Sequence, residues 1–158
     1  MSALVIGIDP GLSGAIAVLS EIGDVEYLDD LPIVRDRRLS WIDGAALQSL
    51  LMDTLAGRPA RAVVERVGAM PGQGVVSSFT FGLALGSVLA VLQARHIPIE
   101  LVPAAVWKGA LGLGRDKKGS LDKARLLYPR ADLDLAKHHG RAEALLLAHF
   151  DRCRGSGG

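Results

Sequence analysis

The chain begins with two apolar, β-branched runs, Ala3 to Ile8 and Gly14 to Ser20, held apart only by the turn-forming Asp9-Pro10-Gly11. The first run reads as a strand that stops where proline and glycine favour a turn. With so short a gap, the two runs pair as a hairpin. Asp24 to Leu31 reads as a third strand, so the chain opens as an antiparallel meander.

The period of the pattern then changes. Trp41 to Ala56 spaces its apolar residues as a helix does, with Ser40 as N-cap. Ala60 to Val67 is a β-branched run, Gly68 to Gly74 a loop rich in glycine, and Ser77 to Arg95 a long apolar helix. Ile97 to Val102 reads as a further strand, and Ala104–Ala110, Ser120–Tyr128 and Gly140–Cys153 as closing helices. This order predicts an α/β layered domain with a mixed sheet. A length of 158 residues suits one such domain.

Composition narrows the class. Apolar residues make up 49% and charged residues 22%, a globular balance and not that of a disordered chain. No stretch reads as the ~20 apolar residues of a membrane span, and Met1 to Leu4 lacks the basic start of a secretory signal. Cys153, the only cysteine, supplies neither an internal disulfide nor a thiolate cluster and fits a reducing compartment, so the expected location is cytoplasmic. The Gly/Ser-rich end, residues 154–158, reads as a flexible tail behind a domain spanning 1–153. Net charge is only +1, yet from Pro103 to Arg130 seven positive residues face two acids. Such a segment is either a phosphate-binding patch or a solvated surface.

Three acids sit where chemistry is possible. Asp9 ends the first strand, although the turn taken alone favours a simple cap of Asp-Pro-Gly. Glu65 closes the buried-looking Ala62-Val63-Val64, where a glutamate is rare unless it is paired, holds a metal or turns to solvent. In Lys137 to Leu146, His139 and Glu143 stand four apart on one helical face, among alanines and leucines. Ligands of this kind from separate elements can hold two Mg²⁺ ions for phosphodiester hydrolysis.

Taken in order, these segments resemble the RuvC family of RNase H-like nucleases. Ile6-Gly7-Ile8-Asp9-Pro10-Gly11 is similar to the family's first motif and Val63-Val64-Glu65-Arg66-Val67 to its second. His139 to Ala148 resembles the helix carrying the last ligands, and Pro103 to Lys108 with Asp116-Lys117-Lys118 the phosphate-contacting stretch. Pro71-Gly72-Gln73-Gly74 and Gly140-Arg141-Ala142-Glu143-Ala144 look most like the phage and organelle branch. The resemblance implies a three-layer fold with a mixed five-stranded sheet and helices on both faces. It also implies a homodimer that cuts four-way (Holliday) junctions symmetrically in DNA recombination and repair. Asp9, Glu65, His139 and Glu143 would hold two Mg²⁺ ions, or Mn²⁺, with Lys117 and Lys118 beside the scissile phosphate. His139 departs from the Asp of many relatives; an imidazole favours Mn²⁺.

Lys108, Arg115, Lys117, Lys118 and Arg141 are expected on DNA, together with Met70 and Gln73 of the loop after Glu65, where Met70 is the large apolar candidate for wedging between bases. The helix around Phe79 to Ala90 is apolar on more than one face, which suits a dimer interface as well as a core. No role for a membrane is expected. Two other readings compete: a junction-binding protein whose cleavage His139 weakens, and a nuclease for other branched DNA or RNA. An actin-like ATPase shares the Asp-Pro-Gly loop but needs a second lobe that 158 residues leave no room for.

Overall fold

The computed structural model describes residues 3–155. The opening runs form β1 (Leu4–Asp9), β2 (Ala15–Leu19) and β3 (Val25–Asp30), paired antiparallel as a meander. Strands β6 (Ala60–Arg66) and β7 (Ile99–Pro103) add in parallel on the other side of β1, giving a mixed five-stranded sheet in the order β3-β2-β1-β6-β7. Between the two halves lie a small hairpin, β4 (Ile33–Arg35) with β5 (Ser40–Ile42), and helix α1 (Gly44–Leu55). The remaining α-helices are α2 (Val75–Ala94), α3 (Ala104–Ala110), α4 (Lys117–Leu127) and α5 (His139–Gly155), the last preceded by a 3-10 turn at Ala136–His138.

Successive strand residues point to opposite faces, and here both faces are apolar. Ile6, Ile8, Ile16, Val18, Ala62 and Val64 pack beneath Leu47, Leu51 and Leu55 of α1 and Ala84, Val88 and Leu92 of α2. Val5, Ala15, Ala17, Leu19, Val63 and Val102 pack beneath α3, α4 and α5 through Trp107, Leu121, Ala124 and Ala142 to Ala148. Helices therefore cover both faces of the sheet, as expected. Helix α5 lies directly on β1: a Cβ at Gly7 would stand 2.1 Å from the Ala144 carbonyl oxygen. Only glycine there, facing Ala144 and Ala148, lets helix and strand backbones come so close.

Several local expectations are corrected. Ser40 does not cap a helix but begins β5; the cap of α1 is Asp43, whose carboxylate accepts from the Ala46 N–H at 3.0 Å. Helix α4 starts three residues earlier than Ser120, at Lys117, because Asp116 accepts from the Lys118 N–H at 3.0 Å. Helix α2, with 20 residues, is long and apolar enough to cross a membrane by length and composition, against the expectation that no stretch is. Its buried residues, Ala84, Val88 and Leu92, hold it on the sheet, while Val75, Val76 and Phe79 are exposed. Of the tail expected from 154, Arg154 and Gly155 close α5, with Arg154 paired to Glu100 and Asp151; residues 156–158 lie outside the described residues, as do Met1 and Ser2.

Candidate metal centre

The alternation that builds the core also builds the site. Val5, Gly7 and Asp9 share the α5 side of β1, and Val63 and Glu65 share the same side of β6. The parallel register that pairs Ile8 with Val64 carries on to set Asp9 beside Glu65 at the carboxyl ends of the two strands. Glu143 descends from α5, whose first turn is pressed onto the β1–β2 turn: a Cβ at Gly140 would lie 2.6 Å from the Ser13 carbonyl oxygen. Asp9, Glu65 and Glu143 each offer an oxygen within 4.8 Å of the others.

Three carboxylates this close are hard, anionic and mutually repulsive, and the surroundings sharpen the conflict. Burial, then the charges of Glu143 and Glu65, push the Asp9 carboxyl up to about 8, against the pull of Lys108 and Lys117. Glu65 is raised too, chiefly by burial, although a hydrogen bond from Trp107 works the other way. Oxygen donors of this kind, converging from three elements, fit a hard divalent cation such as Mg²⁺ or Mn²⁺.

The acids floor a cleft of about 500 Å³, lined also by Ser13, Arg66, Met70, Gln73, Phe81, Lys117 and His139. His139 thus shares the cleft with Glu143 but stands outside the tight three-acid group. Lys117, in the first turn of α4, reaches the cleft; Lys118 turns away to bond Asp122 at 2.9 Å. Lys108 lies within the acid cluster and not on an outer surface, its Nζ 2.7 Å from Glu143 Oε1. Arg115 is exposed in the loop before α4. Arg141, expected on DNA, is instead engaged by Asp29, Asp30 and Asp132 at 2.8, 2.8 and 2.7 Å.

Sequence reasoning gave no role to Trp107. Its indole Nε1 donates to Glu65 Oε2 at 2.9 Å from a fully buried ring. The one clue was its place directly before Lys108 in a segment read as basic.

The mixed five-stranded sheet with helices on both faces has the fold of RuvC. Against Thermus thermophilus RuvC in complex with a Holliday junction substrate, the TM-score is 0.70 at 17% identity, over 98% of this chain and 96% of that one. The yeast mitochondrial Holliday junction resolvase Ydc2 gives a TM-score of 0.52 at 15% identity, over 96% and 78%. In sequence the chain is similar to the chloroplastic Holliday junction resolvase MOC1 of Chlamydomonas reinhardtii, 35% identical over 127 residues. That alignment takes in 73% of this chain but only 14% of the relative's length. No family model matches the chain.

Proposed function

We propose that this protein is a divalent-metal-dependent endodeoxyribonuclease that resolves four-way DNA junctions by paired nicks. One observation carries the reading: Asp9, Glu65 and Glu143, from β1, β6 and α5, bring carboxylate oxygens within 4.8 Å of one another at the floor of an open cleft. The similar proteins, two Holliday junction resolvases and a RuvC in complex with a Holliday junction substrate, support the substrate.

Asp9, Glu65 and Glu143 would hold the metal, with His139 one helical turn before Glu143 as a further ligand. Divalent metal bound there supplies activation of a water and stabilisation of the leaving oxygen during phosphodiester hydrolysis. Lys117 at the mouth neutralises a phosphate entering the cleft, and Met70, 70% exposed on the loop after β6, stands ready to contact unstacked bases. Paired nicks call for two sites related by a two-fold axis. The exposed Val75, Val76 and Phe79 of α2 offer an apolar face for a homodimer. The single cysteine agrees with a cytoplasmic, reducing setting.

A second reading, a junction-binding protein with weak or absent cleavage, draws on the position of His139 outside the tight group of acids. Labelled four-way, three-way and flap substrates, incubated with the protein in Mg²⁺ and in Mn²⁺, separate these possibilities. Symmetric nicks on the four-way junction alone support resolution. Tight junction binding without nicks in either metal supports the second reading, and preferential cutting of flaps overturns the substrate.

A further inference from the structure

Two consecutive residues of α3, one neutral and one charged, each hold a different acid of the cluster. Trp107 donates its indole N–H to Glu65 Oε2 at 2.9 Å, and Lys108 donates to Glu143 Oε1 at 2.7 Å while its Nζ lies 5.2 Å from the Trp107 ring centroid. Resting on the proposed metal-nuclease reading, we propose that Trp107 is the positioning residue for Glu65, fixing the carboxylate for the metal without itself competing for it.

The chemistry of indole suits this task. Its nitrogen is a donor only, with no lone pair to offer a cation. One carboxylate oxygen of Glu65 is thereby committed to a charge-assisted hydrogen bond, and Oε1 is left to the cleft. The donor is itself immobile. Trp107 is 0% exposed and packs with Val63, Val102 and Leu145, whereas Trp41 is 36% exposed. Its route to Glu65 is short, because Val102 pairs with Glu65 in the sheet and α3 begins directly after β7. A buried Trp commonly finds a partner for its N–H. A metal-ligand candidate as that partner ties the ring to the site and not only to the core. Hydrogen bonds that orient a metal's ligands typically govern affinity by roughly 10- to 100-fold.

The test uses the whole chain labelled with ¹⁵N and read in two ways. The chain has two tryptophans, so two indole N–H signals are expected, and Trp41→Phe assigns them. Titration with Mg²⁺ should shift the Trp107 signal in step with binding and leave the Trp41 signal in place. In parallel, Trp107→Phe, which keeps an aromatic ring but removes the N–H, should weaken Mn²⁺ binding measured by calorimetry by roughly tenfold or more. If Trp107→Phe unfolds, the wild-type titration alone decides. A Trp107 signal that stays put at saturating metal overturns the proposal, as does unchanged Mn²⁺ affinity in a folded Trp107→Phe; both leave the metal centre standing. Absence of any metal binding by the wild type overturns the metal centre and this proposal together.

Discussion

Lys108 Nζ lies 2.7 Å from Glu143 Oε1 in a pair whose side chains are only 14% and 10% exposed, so the acid cluster carries its own internal cation. Three carboxylates within 4.8 Å need a positive charge, and this chain supplies one from α3. Removing one member of a buried pair leaves the other charge uncompensated, at a cost of about 3–5 kcal/mol. Lys108→Met should therefore lower the stability of the metal-free protein by about that amount. Saturating Mg²⁺ should restore more stability to the variant than it adds to the wild type, since the cation then stands in for the lost ammonium. Urea denaturation with chelator and with Mg²⁺ measures both; equal metal stabilisation in the two proteins would count against a shared role for Lys108 and the cation.

Asp9 is the acid most at odds with its surroundings, held between burial and the charges of Glu143 and Glu65. Asp9→Asn keeps the shape and removes the ionisable carboxyl that burial and its neighbours push up to about 8. It should raise the stability of the metal-free protein by about 0.5–2 kcal/mol, the size of a common single stabilising substitution, while abolishing nicking. Chemical denaturation in chelator together with a junction-nicking assay checks the pair of outcomes. A destabilised variant would mean that Asp9 contributes more to the turn it ends than to the repulsion.

Arg141 ties α5 to β3 and to the segment before α5, through Asp30, Asp29 and Asp132. Its hydrogen bond is the main reason the Asp30 carboxyl is held below its ordinary value, against a smaller opposing effect of burial. The sign follows from linkage: an acid with a depressed folded pKa contributes stability above its unfolded value near 3.9, and that stability is lost as pH falls through the folded one. Arg141→Ala should thus lower the melting temperature at neutral pH and flatten the acid limb of the stability profile below about pH 4. Junction binding gives a contrast. Lys117→Ala should reduce the slope of log K against log salt by about 0.9, and Arg141→Ala should leave it alone. A slope that shrinks in Arg141→Ala would return this residue to the DNA surface.

What could be read from the sequence follows from how local each feature is. Asp9 and Glu65 were legible because each ends a β-branched run, and the alternation within those runs sets their face. Glu143 was legible because its neighbours Ala142 and Ala144 are small. The hydrogen bond of Trp107 was not, because a tryptophan in an apolar segment reads as core and its N–H direction depends on how α3 leaves β7. Lys108 and Arg141 read as DNA cations for a related reason. Their carboxylate partners lie on other elements, brought close only by tertiary packing. The β4–β5 hairpin escaped because strands of three residues show too little alternation, and Ser40-Trp41 resembled a helix start.

His139 carries the remaining test of the centre. It enters the cleft one helical turn before Glu143, yet it does not join the three acids within 4.8 Å. An imidazole nitrogen is a softer donor than a carboxylate and shifts preference towards Mn²⁺. If His139 is a ligand, wild-type nicking should be faster in Mn²⁺ than in Mg²⁺, and His139→Asp should narrow that difference by raising the Mg²⁺ rate. His139→Ala should slow nicking in both metals, with junction affinity retained because Lys117 and the loop bearing Met70 are untouched. Single-turnover nicking rates and gel-shift affinities for the three proteins distinguish a ligand from a bystander. Unchanged rates in His139→Ala would confine the metal to Asp9, Glu65 and Glu143, and the Mn²⁺ to Mg²⁺ ratio of the wild type would then need a cause other than the imidazole.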